Sequence, residues 1–229
     1  MIITRSSVIS IVLAALSMPL VYAQDLSGYR GFQLGMNLPA VAKQADMKPS
    51  EAKVIYQRPA VIQELEWRPQ SSYSSSAQGD PVEEVLFSFY NGELYRIVVI
   101  YDQQRTEGLT DQDLIEVISA KYGTPTTPVA KIISSSPSQA YSDSEKVIAR
   151  WEDSQYSFNL FRFSYRLTPG MLVFSKQLDA LAQVAIVEAL RLNKLEAPQR
   201  EIDRQKQVDD EKQAAGQKVR PVNKANFRP

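Results

Sequence analysis

The run VEEVLFSFYNGELYRIVVIYD, residues 82–102, decides the fold. Val82–Tyr90 and Glu93–Asp102 are rich in β-branched and aromatic residues. Asn91-Gly92 between them tolerates positive φ at both central positions of a type I′ turn, so the two runs are expected to close as a two-residue hairpin. Such a turn sets Phe89 opposite Leu94, Phe87 opposite Arg96 and Val85 opposite Val98, and gives these residues one shared, largely apolar face for a helix to cover. The other face then carries Tyr90, Tyr95 and Tyr101. Tyrosine joins an apolar body to a polar tip, a composition favoured where proteins bind one another, so these three form the candidate protein-binding face. Truncating Tyr95 or Tyr101 is accordingly expected to affect binding more than folding, and truncating Phe87 to unfold the chain.

Helices and further strands flank this hairpin. Asn37 and Pro39 suit a cap and first turn for a helix beginning at Ala40. Strands are expected over Val54–Tyr56 and Val61–Trp67, followed by a Ser-rich loop, Gln70 to Asp80. After the hairpin, Thr110 and Asp113 offer a capping box, and Leu114, Ile115, Ile118 and Tyr122 recur at helical spacing. Gly123 ends that helix and Pro125 forbids its continuation. A Ser/Pro/Thr-rich loop runs to Ser144, then strands resume at Val147–Trp151, Tyr156–Tyr165 and Met171–Ser175. A last helix starts near Gln177 with Leu178, Leu181, Ala182, Ala185, Ala189 and Leu192 on one face. Pro198 should break it, and Gly216 to Pro229 should be disordered.

The fold class is therefore α+β: antiparallel sheet, helices on one face, a long C-terminal helix and a disordered tail. Each half reads helix, then three strands, and a tryptophan closes the first strand of each, Trp67 and Trp151. Identity between the halves is slight, which leaves duplication and coincidence both open. The stretch Gly35-Met36-Asn37-Leu38-Pro39-Ala40-Val41 and the stretch Tyr122-Gly123-Thr124-Pro125 look like the helix entry and exit of a known group. In them the chain resembles the tandem αβββ proteins of the bacterial envelope, the β-lactamase inhibitor protein and BamE-like family. That resemblance implies an architecture and no functional residue. The expected divisions are a signal peptide at 1–23, a first αβββ unit at 24–105, and a second unit with the C-terminal helix at 106–197. A charged extension and tail fill 198–229.

The export signal rests on Arg5, the apolar run Val8–Val21 and the Val21-Tyr22-Ala23 boundary, which together predict cleavage before Gln24 and a periplasmic or secreted protein. The apolar run is short for a membrane span, and no later segment approaches one. Removing Arg5, the only charge in the signal, leaves the mature chain one charge short of neutrality, which argues against a nucleic-acid partner. The sequence has no cysteine and no histidine. Disulfides, thiolate chemistry, the commonest general base and the commonest zinc ligand are thereby removed. No catalytic, cofactor-binding or metal-ligating residue stands out, and no cofactor is expected.

Two function classes follow. The favoured one is a non-enzymatic module binding an envelope or secreted protein. The alternative is a carboxylate-based hydrolase of an extracellular polymer, for which Glu64, Glu66, Glu83 or Asp102 would have to converge in a cleft. The last five basic residues, from Lys212 onward, are followed by no acid and are expected to be solvated.

Overall fold

The computed structural model describes residues 25–69, 80–126, 145–163, 168–226 and 228. The signal peptide expected at 1–23 and most of the two Ser-rich loops fall outside the described residues. The chain forms a small ribbon, β1 (Gly28–Tyr29) and β2 (Phe32–Gln33), then helix α1 (Leu38–Gln44) and a 3-10 turn at Pro49–Glu51. Four strands follow: β3 (Lys53–Tyr56), β4 (Ile62–Trp67), β5 (Val82–Tyr90) and β6 (Glu93–Tyr101). Helix α2 (Asp111–Tyr122) leads to β7 (Glu145–Glu152), β8 (Tyr156–Phe163) and β9 (Pro169–Ser175), and helix α3 (Lys176–Asn226) ends the chain. Strands β3 to β9 build one seven-stranded sheet in the order β3-β4-β5-β6-β9-β8-β7, antiparallel throughout. The two meanders therefore meet through their last strands, β6 and β9. The architecture is α+β, as expected, in one continuous sheet.

Local chemistry accounts for the elements. Asn37 caps α1, its Oδ1 accepting the Ala40 N–H at 2.9 Å. The Thr110–Asp113 capping box forms in both directions at the start of α2. At the end of α2, Gly123 has φ +71°, and the Trp151 indole N–H donates to its carbonyl at 2.6 Å, tying the helix to β7. Asn91 and Gly92 both take positive φ, +49° and +84°, and make the expected turn. Gly170 sits beneath the ring of Phe161 on the neighbouring strand, where a Cβ would overlap the ring atoms.

The hairpin register departs from regular alternation two pairs past the turn. Phe89 pairs with Leu94 as expected, but Ser88 pairs with Arg96, Phe87 with Ile97 and Val85 with Val99. Tyr95 is thus the extra residue of a β-bulge. Both alternations of β6 are apolar, so hydrophobic pattern alone does not fix the phase. Arg96 does: in the regular register it would enter the apolar core beside Phe87. With the bulge it turns to the opposite face and meets Asp179 of α3. Neighbours in a regular strand point apart, yet here the Arg96 guanidinium lies 5.6 Å from the centre of the Tyr95 ring.

Each face of the sheet has its own core. On one, α1, α2 and the β1–β2 ribbon cover Val85, Phe87, Phe89, Ile97, Trp151 and Phe158. On the other, Ile62 and Tyr95 pack against Ala182 and Ile186 of α3, and a separate apolar cluster joins Leu86, Val98, Phe161 and Leu172. The two short helices share a face, while α3 crosses the opposite one, so the helices do not all lie on one face as expected: β6 carries apolar residues in both alternations, and both faces need cover. Pro198 does not break α3, and residues 216–226 are helical, contrary to the break and disordered tail expected there. The proline removes one N–H from an exposed turn, where water can satisfy the freed carbonyl. Arg200 also donates to the Asn193 carbonyl at 2.8 Å in that turn.

Candidate interaction surface

The three tyrosines proposed as one binding face are separated by the bulge. Tyr95 is 0% exposed beneath α3. Tyr90 packs at the edge of the same cluster. Tyr101 lies on the opposite face, packed against the core that α1 and α2 cover and hydrogen-bonded to Tyr29. Burial pushes the Tyr95 hydroxyl up to about 12. Burial, then the neighbouring Tyr29, also holds Tyr101 well above the usual tyrosine range. These residues do not make a common exposed face, because the alternation along β6 is broken at Tyr95.

The four carboxylates divide in two. Glu64 is buried and aligns with Ser88 and Arg96 in a polar row across β4, β5 and β6. Glu66 sits at the sheet margin in a network with Arg68 and Glu84, at 2.9 Å for each ion pair. Glu83 and Asp102 do come together, lining a depression of about 620 Å³ with Gln103, Gln104, Glu107 and Thr168. Asp102 is occupied there as a loop anchor. Its Oδ1 accepts the Arg105 N–H at 2.9 Å, and its carbonyl accepts the Thr106 hydroxyl at 2.7 Å. Among the described residues no group of three or more acidic, His or Cys side chains could hold a metal ion.

The surface with the least ordinary chemistry is α3. It is fastened to the sheet by a buried ion pair, Arg96 donating to Asp179 Oδ1 through Nε at 3.0 Å and Nη2 at 2.5 Å. Farther along, Arg58 pairs with Glu196. Between these ties the residues turned to the sheet are Ala182, Ala185, Ile186 and Ala189, which let the helix approach closely. Apart from Leu178 and Ile186, larger apolar side chains point outward: Leu181, Val184, Val187, Leu190 and Leu195 are all exposed, Val184 at 71% and Val187 at 67%. A surface helix ordinarily hides its large apolar residues and shows polar ones. Here the order is reversed. Leu181, expected on the buried face, is among the outward ones. The apolar residues at 184, 187 and 190, three apart, mark this surface in the sequence beside an equally periodic alanine stripe.

Beyond Glu196 the helix leaves the sheet, and nearly every described residue to Asn226 is exposed. At 1.5 Å per residue its 51 residues span about 77 Å. The projecting part is held by exposed pairs at helical spacing, including Glu201–Arg204 and Gln205–Asp209.

Among the described residues no helix is long and apolar enough to cross a membrane. No curated protein and no solved structure matches the chain, so the likeness to the β-lactamase inhibitor protein and BamE-like group gains no support there. A family model does match, from Ser27 through Thr168, taking in both short helices and the strands up to β8 and stopping ahead of β9 and α3. The chain belongs to the TP0088 domain family.

Proposed function

We propose that this chain is an exported, non-enzymatic interaction module that binds a protein partner in the cell envelope or medium through the outward flank of α3 bearing Val187 and Leu190. The observation that carries the reading is the reversal on α3, with alanines toward the sheet and larger apolar residues toward solvent. Export is supported by the Arg5 charge, the apolar run and the Val21-Tyr22-Ala23 boundary. Exposed apolar side chains on an ordered helix match helix-in-groove recognition, in which anchors recur at three- and four-residue intervals.

The test compares immobilised wild-type protein with the double variant Val187→Glu/Leu190→Glu on envelope extracts. Both sites are exposed, so the variant should melt like the wild type while losing at least about tenfold in retention of a specific partner. Equal retention by a normally folded variant would sink the reading. A second reading, a carboxylate-based hydrolase of an extracellular polymer, draws on Glu83 and Asp102 sharing one depression. It requires Glu83→Gln to abolish cleavage of such a polymer.

A further inference from the structure

We infer that α3 also pairs, antiparallel and about a two-fold axis, with α3 of a second copy of this chain. The inference rests on the reading of α3 as the associating element, but it uses a separate stripe that borders Val187 and lies away from Leu190. Leu181, Val184, Glu188, Arg191, Leu195, Pro198 and Ile202 are spaced alternately by three and four residues, the spacing of a coiled-coil seam. They form one stripe roughly a third of a turn around the helix from the buried alanines. Leu181, Val184, Leu195 and Ile202 are all exposed.

The charges choose the partner and its direction. The stripe holds one acid and one base, Glu188 and Arg191, side by side at its centre. In the single chain Arg191 grips Glu188 through two hydrogen bonds, 2.6 and 2.7 Å. A two-fold axis midway between them sets Glu188 against Arg191 of the second copy, twice. The same axis sets Val184 against Leu195 of the second copy and Leu181 against its Pro198. A parallel pair would instead oppose Glu188 to Glu188 and Arg191 to Arg191, and like charges at close range disfavour it. The seam is therefore self-complementary in one direction only, as an isologous interface must be.

The absence of cysteine makes the register directly testable. Val184→Cys and Leu195→Cys are prepared as separate full-length proteins and oxidised alone or mixed. The mixture should give a disulfide-linked dimer joining one copy of each, and either variant alone should give little, since a disulfide needs Cβ atoms within about 4.5 Å. Sedimentation should show a concentration-dependent dimer, weakened at least about tenfold by Val184→Glu and unchanged by Leu190→Glu. A monomer at every concentration, or cross-linking of Val184→Cys with itself as efficient as in the mixture, would overturn the inference. If the monomer result accompanies loss of envelope retention by Val187→Glu/Leu190→Glu, only the self-pairing fails. If dimers persist while retention is unchanged by that variant, only the binding reading fails.

Discussion

Tyr95 concentrates the consequences of a single side chain. Its ring is sealed between β6 and α3, so Tyr95→Ala should cost about 3–5 kcal/mol, comparable with Phe87→Ala and unlike an exposed tyrosine. Thermal melts of the two variants check this. The buried Tyr95 hydroxyl has the Ser88 hydroxyl as a weak neighbour and makes no strong hydrogen bond, so Tyr95→Phe should change stability by no more than about 1 kcal/mol. The same hydroxyl sets an alkaline limit. The folded protein keeps the Tyr95 proton to about 12, whereas an unfolded tyrosine releases it near 10. In that window the native state binds more protons than the unfolded chain, so stability falls as pH rises and is full below it. Melting temperatures from pH 9 to 12 should drop less steeply in Tyr95→Phe, with a residual slope from Tyr101, which is raised in the same direction.

Among the elements, the β5–β6 turn and α3 show what a sequence does and does not disclose. Asn91-Gly92 announced its turn because few residues accept positive φ at two successive positions. Gly92→Ala should cost about 1–2 kcal/mol, measurable by denaturant unfolding. The caps of α1 and α2 were legible for the same reason, each requiring a particular side chain at one place. The bulge at Tyr95 was not, because Ile97 and Val99 are as apolar as Val98 and Ile100, and either set could face a core. Nor was the face of α3, where apolar residues surround the helix and only the sheet decides which are covered. Pro198 misled because a proline breaks a helix when its carbonyl partner is buried, and here it is solvated. Since residues beyond Ile202 touch little, deleting 203–229 should move the melting temperature by only a degree or two. A loss of more than about 5 °C would mean the projecting helix supports the sheet.

Across the whole molecule, the halves cannot be separated without opening the sheet at its middle. Strands β6 and β9 pair from Arg96↔Phe174 to Ile100↔Gly170, and one core takes residues from both meanders. Unfolding should therefore be a single transition, with calorimetric and van't Hoff enthalpies in agreement. Two separated transitions would mark the halves as independent. Helix α3 belongs to this unit through Arg96 and Asp179. Asp179→Leu takes one carboxylate away from a buried guanidinium and should cost about 3–5 kcal/mol, while Arg96→Met with Asp179→Leu should recover part of it. A double-mutant cycle read by denaturant unfolding gives the coupling.

The extra residue in β6 also means that sheet and helix answer to different things: the sheet counts residues, the helix weighs them. Excising Tyr95 would leave every pairing on either side of it available, since Leu94 already faces Phe89 and Arg96 already faces Ser88. The ladder would close over the gap. What would vanish is the ring on which Ala182 and Ile186 rest, and α3 would sit above a hollow the size of a phenol. Subtraction at this one position is thus a way to loosen the helix while sparing the sheet, a separation that no substitution there can make as cleanly.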